Sequence, residues 1–112
     1  MKGTKADNKA PTIDLKSLKL SKKKAGNKYR TFSIKVKDDS KITDVIAGFD
    51  EFSYYRMKYN KKKKCYECKV KVREAQLDQI HVRDNHGNYK EYSAYNNKKY
   101  KKAFKKIRPS KK

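Results

Sequence analysis

Every cysteine and histidine of this 112-residue chain falls in one stretch, CYECKVKVREAQLDQIHVRDNHG, residues 65–87. The spacing is C-x2-C-x12-H-x4-H, from Cys65 and Cys68 to His81 and His86. Such ligands form either a metal site or two hairpin fragments whose soft side chains fall at metal-like intervals. Strand geometry separates the readings. Residues three apart in a strand point to opposite faces, so Cys65 and Cys68 share a metal only where a knuckle interrupts the strand. His81 and His86 would also suit acid–base work in a nuclease, beside Lys or Tyr on a basic surface. No paired carboxylates sit near a histidine beyond Asp84, and there is no glycine-rich phosphate loop. A solvated turn residue is the simpler account of His86.

The second chemistry is charge. Lys and Arg number 33 against 12 Asp and Glu, a formal net charge of +21. That charge repels itself in a compact chain and calls for a polyanion, nucleic acid first and an anionic membrane surface second. Of the 33 bases, 28 are Lys and five are Arg: Arg30, Arg56, Arg73, Arg83 and Arg108. Lysine is a mobile point charge suited to phosphate, whereas bidentate reading of guanine favours Arg. Affinity should therefore rest on phosphate contacts and depend strongly on salt. An AT-rich genome would enrich Lys as well.

Size and composition bound the frame. Hydrophobic residues make up 35% of the chain, yet they bunch between Tyr29 and Ile107, enough for one core of roughly 80 residues. No stretch approaches the ~20 apolar residues of a membrane helix, and the N-terminus lacks a signal-peptide core. A cytoplasmic protein is expected, with its cysteines reduced or metal-bound.

The elements that must position these groups follow from periodicity. Residues 1–15 are polar and read as a disordered basic arm, 16–108 as a single nucleic-acid-binding domain, and 109–112 as a basic tail. Leu18 and Leu20, then Phe32, Ile34 and Val36, alternate about the turn SKKKAGNK as a hairpin. Ile42, Val45, Ile46 and Phe49 fall at i, i+3, i+4 and i+7, which predicts an amphipathic helix near 40–50. Asp39 or Ser40 would cap it. Its acids, with Asp38, Asp44, Asp50 and Glu51 nearby, place it away from phosphate.

Period two then returns. Tyr55, Met57 and Tyr59 oppose Tyr54, Arg56 and Lys58; Tyr66, Cys68, Val70 and Val72 oppose Cys65, Glu67, Lys69 and Lys71. The link NKKKK makes these two runs a hairpin tipped by Lys61, Lys62, Lys63 and Lys64. Its polar face suits backbone tracking and base stacking; an ordinary solvated sheet face has the same composition. QIHVRDNHGNYKEYSAY reads as another hairpin, with Gly87 in its turn. Finally, Tyr100, Ala103, Phe104 and Ile107 stripe a basic helix near 97–107, capped by Asn96 or Asn97 and stopped by Pro109. Its lysines would repel one another until counter-charge arrives, or would simply keep the face soluble.

Within residues 65–86, Cys65 and Cys68 match a zinc knuckle, Val72 a core position, and His81 and His86 a helical ligand pair. On these residues the segment resembles the two-Cys/two-His zinc finger. That resemblance implies a ββα unit, a structural zinc held by Cys65, Cys68, His81 and His86, and DNA binding. It departs from the family at Asp78, where a leucine is usual, and at Lys63, where an aromatic is usual. The base-reading positions would be Glu74, Leu77 and Ile80, so a finger here would be a clasp rather than a reader. The likeness covers about 22 of 112 residues.

The combined expectation is a small α+β domain, an antiparallel meander with two helices. It would bind nucleic acid, DNA before RNA, as an accessory or regulatory factor without catalysis. The contact residues would be Tyr54, Arg56, Lys58, Lys61, Lys62, Lys63, Lys64, Lys69, Lys71, Arg73, Arg83, Lys98, Lys101, Lys102 and Lys105. An RNA- or ribosome-associated protein and a small basic nuclease are the alternatives. Zinc is the one cofactor in view, and exposed sheet edges would allow a homodimer.

Overall fold

The structure, a computed structural model, describes residues 9–38, 41–50 and 53–111. Among these are eight strands, β1 (Thr12–Leu20), β2 (Tyr29–Lys37), β3 (Ile42–Phe49), β4 (Ser53–Arg56), β5 (Lys58–Asn60), β6 (Cys65–Lys71), β7 (Leu77–Asp84) and β8 (Tyr89–Ser93), and one helix, α1 (Lys98–Phe104). They form two antiparallel four-stranded sheets, in the orders β1-β2-β6-β5 and β4-β3-β7-β8. The fold is largely β rather than an α+β domain with two helices.

One core joins the sheets. Phe32, Ile34 and Val70 of the first sheet and Val45, Ala47, Phe49, Leu77, Ile80 and Val82 of the second are fully buried together. Phe32 meets Phe49 edge-on across the interface, centroids 5.8 Å apart. Burying each large apolar side chain contributes roughly 1.5–3 kcal/mol. The run 53–60 passes from one sheet to the other: Gly48 pairs with Tyr54 on one side of Met57, and Glu67 with Lys58 on the other. Met57 is buried at the crossing and donates its N–H to the Val45 carbonyl at 2.8 Å.

The helix expected near 40–50 is strand β3. Val45, Ala47 and Phe49 alternate into the core, while Ile46 lies half-buried on the opposite face. Apolar residues on both faces satisfied the helical spacing and the strand spacing at once. The β-branched Ile42, Thr43, Val45 and Ile46 favour the strand, where their χ1 restriction costs little. The expected caps Asp39 and Ser40, and Glu51, lie outside the described residues.

The N-terminal arm also ends earlier than expected. β1 begins at Thr12, with buried Ile13 opposite Val36. Pro11 is fully buried, and its carbonyl accepts the Tyr92 hydroxyl at 2.8 Å. Residues 1–8 lie outside the described residues. At the other end the expected tail is docked: Pro109 is buried and Ser110 donates its N–H to the Glu74 carbonyl at 2.9 Å.

The expected hairpins stand at β1–β2, β5–β6 and β7–β8. Gly87, at φ +83°, supplies the left-handed residue of the last turn. In α1, the Asn97 side chain caps the helix by accepting the Lys99 N–H at 2.8 Å. The helix stops at Phe104 rather than 107. Lys106 and Ile107 donate to the carbonyls three residues back, a tighter turn that drives Ile107 into the core.

Candidate nucleic-acid interface

The sheet crossing at Met57 opens a cleft of about 840 Å3. Tyr54 and Arg56 reach it from β4, Lys58 from β5, Lys61 and Lys62 from the hairpin tip, and Lys69 from β6. Six of the expected binding residues therefore meet in one place. Tyr54, Arg56 and Lys58 alternate along one run on either side of buried Met57, Lys61 and Lys62 follow in the turn, and Lys69 comes from the neighbouring strand β6. Tyr59 departs from the expected apolar face. It is 51% exposed and leans on Tyr66 with centroids 5.2 Å apart, because the run has changed sheets by then. Asn60 shapes the tip, its side chain accepting the N–H groups of Lys62 and Lys63 at 3.0 and 3.1 Å. Arg56 pairs with Asp44 at 2.6 Å and Lys63 with Glu67 at 3.9 Å. Such exposed pairs are worth about 0–1 kcal/mol and yield readily to phosphate.

The remaining expected residues lie elsewhere. Lys63 lines a neighbouring cleft of about 540 Å3 beside Lys19, Lys35, Cys65 and four hydroxyl side chains. Lys64, Lys71 and Arg73 are exposed, as is Arg83 on the outer face of the second sheet. Lys98 and Lys101 border a cleft with Gln76, Asp78 and Tyr95.

Lys102 and Lys105 belong to a different place. They line a cleft of about 680 Å3 with Lys19, Arg30, Lys106, Arg108 and Lys111, floored by Leu18, Leu20 and Ile107. A second cleft, of about 780 Å3, holds Lys22, Lys23, Lys24, Lys28 and again Arg30. The two clefts share Arg30, carry eleven Lys and Arg residues between them, and are lined by no Asp or Glu. Arg30 anchors this region. Its Nε donates to the Ser21 carbonyl at 2.7 Å, and its Nη1 to the carbonyls of Pro109 and Lys111 at 3.0 and 2.8 Å. Carbonyl partners leave its charge unneutralised.

Sequence reasoning missed Lys22, Lys23, Lys24 and Lys28, which read there as turn chemistry, and Arg30, which read only as one of five arginines; three lysines in a row beside a glycine turn were the available signal. Arg30 pairs with Val70, whereas the lysine tip enters β6 at Cys65. At about 3.3 Å per residue the two regions stand roughly 17 Å apart along the sheet. The lysine tip and the helix lysines, expected together to carry phosphate binding, thus stand at two poles.

The outer face of the second sheet carries a third group. His81 engages the Gln79 Oε1 through Nε2 at 2.8 Å and the Tyr89 hydroxyl through Nδ1. Glu91 lies 3.7 Å from the same Nδ1, and Arg83 sits 5.4 Å from the Tyr89 ring centroid. Burial, then Glu91, raises the Tyr89 phenol, keeping its proton.

The four expected zinc ligands are not brought together. Residues 77–84, which a finger would place in its helix, are strand β7. Cys65 faces the hydroxyl-lined cleft, while Cys68 pairs with Phe32 on the core side. Burial, then Glu67, pushes the Cys68 thiol up to about 12. His81 lies in the other sheet and His86 in the β7–β8 turn. Among the described residues no three His, Cys, Asp or Glu side chains are grouped to hold a metal. Asp84, the acid nearest His86, is committed to the turn: it accepts the N–H groups of His86 and Asn88 and the Asn88 amide, each at 2.9 Å. Burial opposes its charge, but these hydrogen bonds, with a further one from the Asp38 side chain, win and hold its carboxyl at about 2.

No helix among the described residues is long and apolar enough to cross a membrane. Comparison with known protein families, curated proteins and solved structures finds no match to this chain.

Proposed function

We propose that this protein binds nucleic acid, DNA before RNA, as a non-catalytic accessory factor whose affinity comes from phosphate contacts. The observation that carries this reading is the pair of adjoining clefts around Arg30, with eleven cations and no lining acid. Lysine ammonium groups on flexible stems neutralise successive phosphates without demanding a particular base. The lysine tip offers a second point of attachment, so a bound strand would be held at two places. The shallow apolar floor of Leu18, Leu20 and Ile107 suits sugar or lysine stems rather than a buried small molecule.

Fluorescence anisotropy of a labelled oligonucleotide, titrated across salt, tests the reading. For roughly 6–10 phosphate contacts, affinity should fall about 10^3- to 10^5-fold between about 50 and about 200 mM salt. A flat salt response would overturn it.

A further inference from the structure

We infer that the outer face of the sheet β4-β3-β7-β8 is a stacking platform for the unpaired bases of single-stranded nucleic acid. The inference rests on the nucleic-acid reading above and goes beyond it, from phosphate to base and from any strand to an unpaired one.

Three rings lie in sequence across this face. Tyr54 meets His81 with centroids 5.9 Å apart, and His81 meets Tyr89 at 5.8 Å. The two tyrosines are 54% and 49% exposed, a large apolar area to leave in water. Their hydroxyls are nevertheless engaged: Gln79 Nε2 donates to Tyr54 at 3.1 Å, and Tyr89 bonds His81. The rings are thus held by their tips; Arg83 lies over the Tyr89 ring, as a cation stacked on an aromatic does, and the remaining exposed ring area faces solvent. Holding a ring in place before a ligand arrives lowers the ordering cost of stacking on it.

Gly48 explains the lie of Tyr54. It pairs with Tyr54 on β4 and with Gln79 on β7, so the ring reaches Gln79 across a residue with no side chain. A Cβ there would come 2.7 Å from the Gln79 Cγ and 3.1 Å from the Tyr54 Cε1.

The charges fit an unpaired nucleotide. Arg56 and Arg83 stand beside the outer rings, placed to take phosphate or stack on a base. Asp44 and Glu91 repel phosphate but accept base amino groups, which a duplex hides from a flat surface. Bases splayed on aromatics across an open sheet face are a recurring mode for single strands. A duplex cannot present its ring faces, so this surface offers it little.

The test uses the full chain and labelled oligothymidine, oligouridine and a DNA duplex of equal length, all at one salt concentration. Tyr54→Ala and Tyr89→Ala should each weaken single-strand binding roughly tenfold and lower the ratio of single-strand to duplex affinity. Tyr59→Ala, an exposed tyrosine outside the platform, should leave the single-strand to duplex ratio as it was. Gly48→Ala, which lifts Tyr54 and Gln79, should lower the ratio with both rings still present. Thermal melts of each variant separate misfolding from weakened stacking. Oligothymidine and oligouridine tell whether DNA or RNA is taken. Wild-type affinity for single strands in both Tyr→Ala variants, or an equal fall on duplex, would overturn the platform alone. Absence of wild-type binding to all three probes would overturn the phosphate reading with it.

Discussion

On the proposed nucleic-acid reading, the Arg30 pole and the aromatic face of the second sheet would be opposite solutions to holding a polyanion. The pole has eleven cations, no lining acid and mobile lysines. The aromatic face has two arginines, two acids, and rings fixed by hydrogen bonds, Tyr89 to His81 and Tyr54 to Gln79. Coulomb attraction tolerates error in position, whereas stacking does not. The first region can supply affinity without selectivity and the second selectivity without much affinity. A chain of net charge +21 gains little by adding charge; what it lacks is a rigid surface, and that is what the two-sheet core provides.

Removing that rigidity should part the two regions most sharply. Phe32 is fully buried where the sheets meet. Phe32→Ala should cost about 3–5 kcal/mol, a large share of a small domain's stability of about 5–15 kcal/mol. Chemical denaturation reads the loss. The sharper measurement is binding in mild denaturant, where the variant should lose its preference for single strands before its salt-dependent attraction. An equal loss of both would mean that the pole, too, needs the fold.

Charge reversal at the pole breaks the comparison from the other side. Lys102, Lys105 and Lys106 are exposed around α1, outside the core. Replacing all three with Glu should weaken binding of every probe roughly a hundredfold and flatten the salt slope by about one unit for each phosphate no longer neutralised. The ratio of single-strand to duplex affinity should hold. A change in the ratio would show that the pole also reads base pairing.

Parts of both regions are legible in the sequence. Parity places Tyr54, Arg56, Lys58, Lys69 and Lys71 on one surface, and the cleft at the crossing gathers the first four of them. The stripe of α1 and its Asn97 cap follow from spacing, as does the hairpin turning at Gly87. The pole is not legible, because Arg30 and Arg108 are brought together from 78 residues apart. Nor is the crossing at Met57, whose two halves look like one strand until their partners differ. β3 misleads for a third reason: with apolar residues on both faces, the helical and strand periods coincide over eight residues. The aromatic face combines these failures, since Tyr54, Gln79, His81 and Tyr89 come from three strands that only the sheet aligns.

Acid should act on one region and spare the other. Asp84 holds the β7–β8 turn, next to the strands that carry His81 and Tyr89. Its folded pKa of about 2 lies below the ordinary carboxylate value of about 3.9. A depressed folded pKa stabilises above the unfolded value, and that contribution drains away as pH falls from about 4 through about 2. Near-ultraviolet circular dichroism of the tyrosines should therefore change across that window, and Asp84→Asn should move the change upward or abolish it. The pole has no lining carboxylate to protonate, so its share of binding should persist. A pole that weakens over the same range would reveal an acid acting on it from elsewhere in the chain.

The smallest expected effect concerns metal. A clasp from Cys65 and Cys68 on β6 to His81 on β7 and His86 in the β7–β8 turn would tie the lysine tip to the aromatic face, making the two regions one body. The strand geometry opposes it, with the two cysteines on opposite faces of β6. Elemental analysis should find far less than one zinc per chain, and a chelator should shift Tm by no more than about 1 °C, since a ligand that does not bind the folded state cannot stabilise it. One tightly held zinc would require β6 to break between its cysteines. The cleft at the sheet crossing would then be rebuilt around the metal, because Lys69 and Cys68 lie side by side on the same strand.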